Sequence, residues 1–457
     1  MLRRNSGNAL RPALLRTNAL IDGDWVAAPT RFAVNDPGLP LAAPPLATVS
    51  CFGATDYSRA IEATHGAFTT LRSTIPADVL QGMYVQMVAH EDDLVSLADA
   101  RGEVRYAFSF FRWFAQHAAH ITGDVIQSAS PDRHILALRH LAMVARKWAA
   151  AVAVGCMTVI KPAGETPLTV LAMAHLMQQV VFLRGVVNVV PSERAGEAGT
   201  AICLHKLIKK VLFTGSTRAA TLKKWSFELS GNAPFIVSGD APVDKALVGV
   251  IAAKFRGSGQ TCVCTNCAFV HESVYDEFAR ALVNQLRITR LGYGLDLGTT
   301  HRPLIHGASL RKVQEHVRDA VDRGAILLCG DKARPALGSN YHELTVLGDF
   351  TPEMRIFNEE TFGSVCLLIK FLSEEEVVVL ANDSEVGLAG YFYTNDVLRV
   401  FHVAEQLEVS MMGVNTGAIS EASLPFGGIK ESGFGREGSK YGYEDYNVMP
   451  SVVLGGL

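Results

Sequence analysis

The feature that most constrains the fold is a change of pattern near residue 157, where short β-rich runs begin to alternate with helical stretches. Strands are predicted at 157–160, 186–190 and 210–213, and a helix-like stretch from Leu168 to Leu183 separates the first two. Short apolar runs rich in β-branched residues are typical of strands that are buried on both faces. Strands that alternate with helices in this way predict a parallel, doubly wound sheet.

A helical region precedes this set, and a second α/β set follows it. Apolar residues fall at helical spacing from Asp56 to Arg72, and the pattern continues from Ile75 to Glu103. Further along the chain the pattern predicts helices at 243–256, 275–285 and 310–323 and strands at 267–271 and 325–329. The fold class is therefore predicted to be α/β, with a Rossmann-like domain and a second α/β domain.

Composition excludes several classes of protein. The 457 residues are 49% hydrophobic and 19% charged, which excludes a disordered chain, and the length suits about three domains of ~150 residues. The net charge of -3 leaves no excess of positive charge for a nucleic acid. The longest apolar stretch, from Trp148 to Ile160, is shorter than the ~20 residues needed to cross a bilayer. We therefore expect neither a nucleic acid nor a membrane as partner, and the residues indicate no metal site.

Two features of the sequence bear on the cellular compartment, the cysteines and the N-terminal segment. Eight cysteines without the spacing of a disulfide-stapled domain favour a reducing compartment. Arg3, Arg4, Arg11 and Arg16 precede the first acid, as in a mitochondrial presequence, but neither an amphipathic stripe nor serine enrichment accompanies them. The sequence predicts a cytoplasmic protein, with the mitochondrial matrix as the alternative.

A glycine-rich turn presents a cysteine at the end of a predicted helix. Residues 255–262 read Phe-Arg-Gly-Ser-Gly-Gln-Thr-Cys. A thiol on such a turn is expected to be exposed and close to backbone amides, which would stabilise a thiolate able to attack a carbonyl. The alternative for Cys262 is a structural cysteine.

A carboxylate lies where an apolar run turns, upstream of this cysteine. Glu228 follows Phe227 and precedes Leu-Ser-Gly-Asn. A glutamate in an apolar strand is poorly solvated, which raises its pKa and suits a general base. The alternative for Glu228 is a surface acid at the edge of a strand.

Together with four other segments in order, these two resemble the aldehyde dehydrogenase superfamily over most of the chain. The six matching segments are Ile-Lys-Pro-Ala at 160–163, Phe-Thr-Gly-Ser at 213–216, Glu-Leu-Ser-Gly-Asn at 228–232, Gly-Gln-Thr-Cys at 259–262, Glu-Glu-Thr-Phe-Gly at 359–363 and Pro-Phe-Gly-Gly at 425–428. The finer spellings at 255–264 and 435–442 look most like the succinate-semialdehyde dehydrogenase branch.

The resemblance implies a mechanism that proceeds through a covalent intermediate. Cys262 would attack a small aldehyde, succinate semialdehyde or a similar semialdehyde, and the thiohemiacetal would pass a hydride to a nicotinamide. Glu228 would activate the water that hydrolyses the resulting thioester. The product would be a carboxylic acid.

The resemblance also implies where NADP or NAD would bind. Lys161 would contact the adenosine ribose or its phosphate, Gly215 and Ser216 would lie near the pyrophosphate, and Glu360 and Phe362 would hold the nicotinamide ribose and ring.

Gly164 stands where NAD-selective members carry an acid that repels a 2'-phosphate. NADP is therefore favoured, although Glu165 next to it could still reach the ribose of NAD.

For a substrate with a distal carboxylate, the resemblance assigns Arg256 and Ser420 to the anion site. The third position of that site, an arginine in the branch, is assigned to His120, which is a weaker anion anchor near neutral pH. A different aldehyde, or a surface role for His120, stays open. Cys264 could form a strained disulfide with Cys262, and the alternative is a small buried residue.

The chain also departs from the family pattern. None of its four tryptophans is followed by the asparagine that completes the oxyanion hole, and between Arg139 and Met143 a whole strand and turn are missing. Losing one oxyanion donor typically costs ~100 to 1,000-fold in turnover. The helix after Ser216 is also short. Two alternatives to an active dehydrogenase are therefore a catalytically impaired relative and a cofactor-free esterase.

The resemblance predicts three structural units. The NAD(P)-binding domain would comprise residues 1–121 and 141–229, the catalytic domain residues 230–442, and a small β extension residues 122–140 and 443–457. The extension would build the interface of a homodimer or homotetramer.

Overall fold

The computed structural model describes residues 14–40, 42–70, 76–98, 101–118, 125–127, 134–137, 145–153, 155–180, 184–214, 224–294, 296–444 and 451–454.

The α-helices of the described chain are, in order, α1 (Ala54–Thr70), α2 (Pro76–Ala89), α3 (Glu91–Ala98), α4 (Arg101–His117), α5 (Trp148–Val152), α6 (Pro167–Val180), α7 (Ala195–Leu204), α8 (Val243–Val250), α9 (Glu272–Arg287), α10 (Gly307–Asp322), α11 (Arg355–Asn358), α12 (Glu374–Asn382), α13 (Val397–Gln406) and α14 (Tyr441–Glu444).

The strands are β1 (Ala19–Ile21), β2 (Asp24–Val26), β3 (Arg31–Val34), β4 (Ala47–Ser50), β5 (Val125–Gln127), β6 (His134–Ala137), β7 (Thr158–Ile160), β8 (Val187–Val189), β9 (Lys210–Thr214), β10 (Lys224–Glu228), β11 (Ala233–Val237), β12 (Thr265–His271), β13 (Ile326–Cys329), β14 (Thr345–Gly348), β15 (Val365–Phe371), β16 (Val386–Gly387), β17 (Ala389–Tyr393), β18 (Met411–Val414), β19 (Ile429–Lys430), β20 (Gly433–Phe434) and β21 (Ser451–Leu454).

The predicted helical region forms the layer α1 to α4. In α4 the residues Val104, Phe108, Phe111 and Phe114 recur every three or four positions and are all buried. This spacing places them on one face of the helix, where they pack with α2, α5 and α6 into one core. The apolar periodicity of the sequence thus explains why this helix packs against its neighbours through one face.

The first parallel sheet is divided into two parts. One part has the order β2-β1-β8-β7, with β7 parallel to β8, and the other has the order β20-β10-β9, with β9 parallel to β10. Within the described chain, neither β7 nor β9 pairs with a strand on its second side. Within the described chain, the predicted parallel sheet is therefore represented by two parallel pairs, β7 with β8 and β9 with β10.

The second sheet is continuous and has the order β13-β14-β15-β12-β11-β17-β18. Its strands are parallel except for β13, which runs antiparallel at one edge. Every residue of β11 and β17 is buried, as expected for strands covered by helices on both faces. The α/β fold class is confirmed. The helix predicted at 243–256 ends at Val250, and a π-helical turn, Ile251–Phe255, follows it.

The C-terminal segment of the predicted β extension contains a strand that joins a small sheet within the same chain. Strand β21 pairs antiparallel with β6, which forms a hairpin with β5. This sheet contains parts of both segments assigned to the β extension, but the division into domains stays a prediction.

No helix in the described part of the chain has the length and apolarity required to traverse a bilayer. Three of the four N-terminal arginines lie outside the described residues, so the compartment also stays a prediction.

Candidate active site

The turn that presents Cys262 has an unusual backbone. Gly257, Ser258 and Gly259 all have positive φ angles, of 61, 58 and 76°. Glycine adopts this region without strain, but serine does not, and the Ser258 hydroxyl is fixed by donating to the Arg302 carbonyl at 2.6 Å. The π-helical turn and this left-handed run together redirect the chain so that Cys262 lies at the end of the turn.

The Cys262 backbone lies against the segment that carries Glu228. A Cβ placed on Gly231 would be 1.9 Å from the Cys262 carbonyl oxygen, so only glycine permits this approach. After the cysteine, the Tyr391 hydroxyl donates to the Val263 carbonyl at 2.9 Å. The structure therefore brings the two principal motifs of the sequence into direct contact.

The Cys262 side chain is half-buried rather than exposed. Burial raises the pKa of its thiol to about 11, and Arg146 opposes this shift while Glu228 and Glu360 add to it. The expectation of a stabilised thiolate on an exposed turn is therefore wrong for the resting protein, because desolvation outweighs the nearby cation. The thiol is neutral near pH 7 and requires a base.

Glu228 is the last residue of β10, between β9 and β20. It is 3% exposed, and neither carboxylate oxygen has a hydrogen-bond partner within the described chain. Burial raises the pKa of this carboxyl to about 8, and Glu437 adds to the shift. The direction agrees with the prediction from the sequence, and a carboxyl with this pKa can accept a proton at mildly alkaline pH.

A buried ion pair next to Glu228 was not predicted from the sequence. Glu437, which is 5% exposed, pairs with Lys147 and lies 3.8 Å from a guanidinium nitrogen of Arg146. These cations also oppose the rise in the Glu228 pKa. The partners are 290 residues apart, so no local spacing could have indicated the pair.

Arg146 also contacts the predicted anion site. Its Nη2 donates to the Tyr106 hydroxyl at 2.5 Å and to the Ser420 hydroxyl at 3.2 Å, and its guanidinium lies 3.8 Å from the centre of the Phe426 ring. Arg146 is the cation that the structure places at Ser420, and the assignment of the third anchor to His120 stays a prediction. His120 itself lies outside the described residues.

Two other residues singled out in the sequence, Arg256 and Cys264, make fewer contacts with the anion site and the Cys262 thiol. Arg256 is exposed at the start of the turn, and its side chain makes no hydrogen bond with Ser420 among the described residues. Cys264 is buried, and its thiol donates to the Lys254 carbonyl at 3.3 Å. Both Cys262 and Cys264 are free thiols, so the disulfide between them stays a prediction.

Lys161 follows β7 and has space for an anionic ligand beside it. Its ammonium donates to the Pro162 carbonyl at 3.1 Å, and burial lowers its pKa, which Glu165 opposes. A Cβ on Gly164 would have no atom within 4 Å. A half-buried cation beside open space fits the ribose phosphate of NADP. Gly215 and Ser216 lie outside the described residues.

Glu360 and Phe362 belong to a segment that contacts Gly231, the residue that packs against Cys262. Glu360 Oε1 accepts a hydrogen bond from the Gly231 amide at 3.1 Å, and burial raises the pKa of its carboxyl to about 7. Phe362 has a φ of 52° and remains 38% exposed. A partly ionised carboxylate near the Cys262 thiol and an accessible aromatic ring two residues further along the chain fit a nicotinamide riboside.

The comparisons with known proteins match this arrangement of motifs. The model of the aldehyde dehydrogenase family matches residues 25–452. The chain belongs to the aldehyde dehydrogenase family.

Three similar proteins show how far the likeness extends. Succinate-semialdehyde dehydrogenase [NADP(+)] 1 of Schizosaccharomyces pombe is 43% identical over 96% of this chain and 95% of its own length. The 3-sulfolactaldehyde dehydrogenase of Pseudomonas putida is 41% identical over 98% of both chains. The crystal structure of succinate-semialdehyde dehydrogenase from Burkholderia pseudomallei superposes with a TM-score of 0.94, at 41% identity over 98% of this chain and 100% of that one.

The protein is thus an aldehyde-oxidising enzyme that uses NAD or NADP. The alignment with the fission yeast relative spans 474 positions, more than the 457 residues of this chain, so some positions of that relative have no counterpart here. This agrees with the missing segments noted in the sequence. The comparisons give no support to the alternative of a catalytically impaired relative.

The pH dependence of turnover should report Glu228. Below pH 8 the carboxyl is protonated and cannot accept a proton, so kcat should rise with pH and level off above an inflection near 8. The Cys262 pKa of about 11 lies above this window. Glu228→Gln should lower kcat by ~100 to 10,000-fold, the usual contribution of a general base, and remove the inflection.

The measurement is kcat between pH 6 and 10, with Glu431→Gln as a control because Glu431 is an exposed acid next to β20. An inflection near pH 8 that persists in Glu228→Gln would assign the titration to another group.

Proposed function

We propose that the protein oxidises a small aldehyde with a distal anionic group, succinate semialdehyde or a similar semialdehyde, to its carboxylic acid. The observation that carries this proposal is the position of Arg146. Its guanidinium contacts Ser420 and lies near enough to Cys262 to influence the thiol. A cation at this place can hold the far end of a short substrate while Cys262 reacts with the aldehyde.

The geometry of Arg146 suits a carboxylate. Its guanidinium is held by Phe426 and by the hydroxyls of Tyr106 and Ser420, and a pre-positioned planar fork loses little freedom when it binds a carboxylate. Arg256, exposed at the start of the catalytic turn, would supply a second cation. Together they support an anion site at the mouth of the substrate pocket.

The names of the similar proteins agree with such a site. Succinate semialdehyde carries a carboxylate at the end opposite its aldehyde, and 3-sulfolactaldehyde carries a sulfonate there. Both substrates would place an anion against a cation and an aldehyde at a thiol. The proposal for this chain is the carboxylate, because a planar carboxylate matches the guanidinium fork.

Cys262 and Glu228 perform the two halves of the proposed reaction. Glu228, with a pKa about three units below that of the thiol, removes the Cys262 proton as the sulfur attacks the carbonyl carbon. The oxyanion of the thiohemiacetal re-forms a carbonyl as the hydride leaves, which gives the thioester, and Glu228 releases the thiol proton to solvent. Glu228 then takes a proton from the water that attacks the thioester. The C–S bond breaks, the sulfur regains a proton from Glu228, and the carboxylic acid departs.

The cofactor is proposed to be NADP, with NAD as the alternative. When bound, NADP+ accepts the hydride. Lys161 would hold the ribose phosphate, and Gly164 leaves room for it because no carboxylate stands there to repel a second negative charge. Glu360 and Phe362 would orient the nicotinamide end toward Cys262.

The direct test is formation of reduced cofactor at 340 nm with succinate semialdehyde and NADP+ or NAD+. Turnover should be faster with NADP+ at low cofactor concentration. Cys262→Ala should abolish turnover, because the neighbouring thiol of Cys264 is buried and donates to the Lys254 carbonyl. Absence of a signal above that of Cys262→Ala would refute the proposal. Hydrolysis of a simple ester that is lost with Cys262 would then favour the esterase.

The role of Arg146 can be separated from general damage by using two substrates. Arg146→Met should raise KM for succinate semialdehyde by ~10 to 100-fold, as expected when a charged hydrogen bond worth ~1.5 to 3 kcal/mol is lost. KM for butanal, which has the same carbon chain and no carboxylate, should change little. Arg146→Lys should recover part of the loss. An equal rise in KM for both aldehydes would contradict an anion site.

The chain is also proposed to form a homodimer, with a homotetramer as the alternative. Strand β18 is at the open edge of the second sheet, and α13 exposes Val397, Leu398 and Phe401 at 65, 77 and 65%. An open strand edge and an apolar helix face are both usually covered by a partner.

Light scattering coupled to size-exclusion chromatography should give twice the chain mass or a multiple of it. Leu398→Glu combined with Phe401→Glu should shift the protein toward the monomer, because two charges would be buried without partners. Val85→Glu, at an exposed site on α2, should leave the mass unchanged. A monomer at micromolar concentration of the unaltered protein would refute the dimer.

A further inference from the structure

The segment that carries Glu360 and Phe362 is held in a conformation it would not adopt alone. Residues 359–363, here called the strap, connect α11 to β15. Phe362 has a left-handed backbone, with a φ of 52°, which is unfavourable for a bulky residue unless the surroundings impose it. The groups that impose this conformation therefore control where Glu360 and Phe362 point.

Helix α10 supplies one side of the support. The Lys312 ammonium donates to the Glu360 carbonyl at 2.5 Å, and one turn later His316 Nδ1 lies 3.0 Å from the Thr361 hydroxyl. Between them, Val313 packs so tightly that a Cβ on Gly363 would be 2.2 Å from its Cγ2. Three residues on one face of a helix thus contact three successive parts of the strap.

The opposite side of the strap is held by groups near the catalytic turn. Asn266 Nδ2 donates to the Glu359 carbonyl at 3.2 Å, and Asn266 Oδ1 accepts from the Lys254 ammonium at 3.2 Å. Lys254 is fully buried. The Arg355 guanidinium binds both oxygens of the Glu359 carboxylate, at 2.9 and 3.1 Å. The strap is therefore fixed by side chains from several elements, at successive residues.

The charge states of the α10 side chains fit their contacts with the strap. His316 is fully buried among the strap residues, and burial lowers its pKa to about 4, so the ring is neutral at physiological pH. With its proton on Nε2, the ring can accept from Thr361 and face the Glu359 carboxylate at 3.5 Å. Lys312 and Lys254 both favour the ionised form of Glu360.

We infer that Lys312 and His316 are positioning residues, which fix the strap so that the Glu360 carboxylate and the Phe362 ring face the nicotinamide end of the bound cofactor. The inference rests on the cofactor role proposed above for Glu360 and Phe362. Neither residue touches the thiol, so the effect acts through the strap alone. Lys312 holds the Glu360 backbone, and His316 holds the residue between Glu360 and Phe362.

An alternative role would be purely structural. The strap also packs directly against the catalytic turn, since a Cβ on Gly259 would lie 2.1 Å from the Gly363 carbonyl oxygen. If Lys312 and His316 only maintained the fold, their loss would disturb Cys262 as much as the cofactor. The two roles differ in one measurable respect, which is the reactivity of Cys262 in the absence of cofactor.

The test compares Lys312→Met with Lys312→Arg, His316→Leu and the control Arg318→Met, which alters an exposed residue of the same helix. Three quantities are measured for each variant. These are the Kd of NADPH by fluorescence titration, kcat and KM for succinate semialdehyde oxidation, and the cofactor-free hydrolysis of p-nitrophenyl acetate at Cys262.

Lys312→Met should weaken NADPH binding by ~10-fold or more, as expected for the loss of a charged hydrogen bond, and lower kcat. Ester hydrolysis should stay within about two-fold of the rate of the unaltered protein. The hydrogen bond that is lost is to the Glu360 carbonyl and not to Cys262, so the thiol should keep its position. His316→Leu should act in the same direction, Lys312→Arg should restore most of the affinity, and Arg318→Met should change nothing.

Two results would overturn the inference while leaving the proposed function intact. One is an unchanged Kd for NADPH in both Lys312→Met and His316→Leu. The other is a fall in ester hydrolysis parallel to the fall in dehydrogenase turnover, which would show a structural role. Failure of the unaltered protein to bind either NADPH or NADH would instead refute the proposed function, and the positioning role with it.

Discussion

The site depends on one close backbone contact, the approach of Gly231 to the Cys262 carbonyl. Residues 229–232 connect β10, in the first sheet, with β11, in the interior of the second. Because Gly231 has no side chain, the turn that follows the π-helical segment can pack directly onto this connection. The same glycine donates its amide to Glu360, so the thiol, the base and the strap all meet at one short segment.

Desolvation sets the chemistry of these groups. Burial raises the pKa of Cys262 to about 11, of Glu228 to about 8 and of Glu360 to about 7. Lys147, Arg146 and Arg436 lower the pKa of Glu228, and Lys312 and Lys254 lower the pKa of Glu360, but neither carboxyl returns to its ordinary value. The result is a base that exchanges protons near neutral pH and a thiol that stays protonated until that base acts.

The two sheets also differ in continuity within the described chain. A strand at the edge of a sheet leaves the backbone groups on its second side without a partner strand. Within the described chain, β7 and β9 each end a separate sheet, and residues 138–144 lie outside the described residues. The second sheet, whose strands are all present in the sequence, is continuous.

Local sequence determined the elements and the two principal motifs of this protein. Apolar periodicity marked the helices, β-branched runs marked most of the core strands, and the glycines at 257 and 259 marked the turn before Cys262, because these signals depend on neighbours within a few positions. Only the tertiary structure decided which groups surround the thiol. Arg146, Tyr106 and Ser420 meet from distant parts of the chain, as do Lys147 and Glu437, and no spacing encodes such a meeting. Burial also reversed the expectation for Cys262, because the solvent lost by a side chain is a property of the packed fold and not of the turn that carries it.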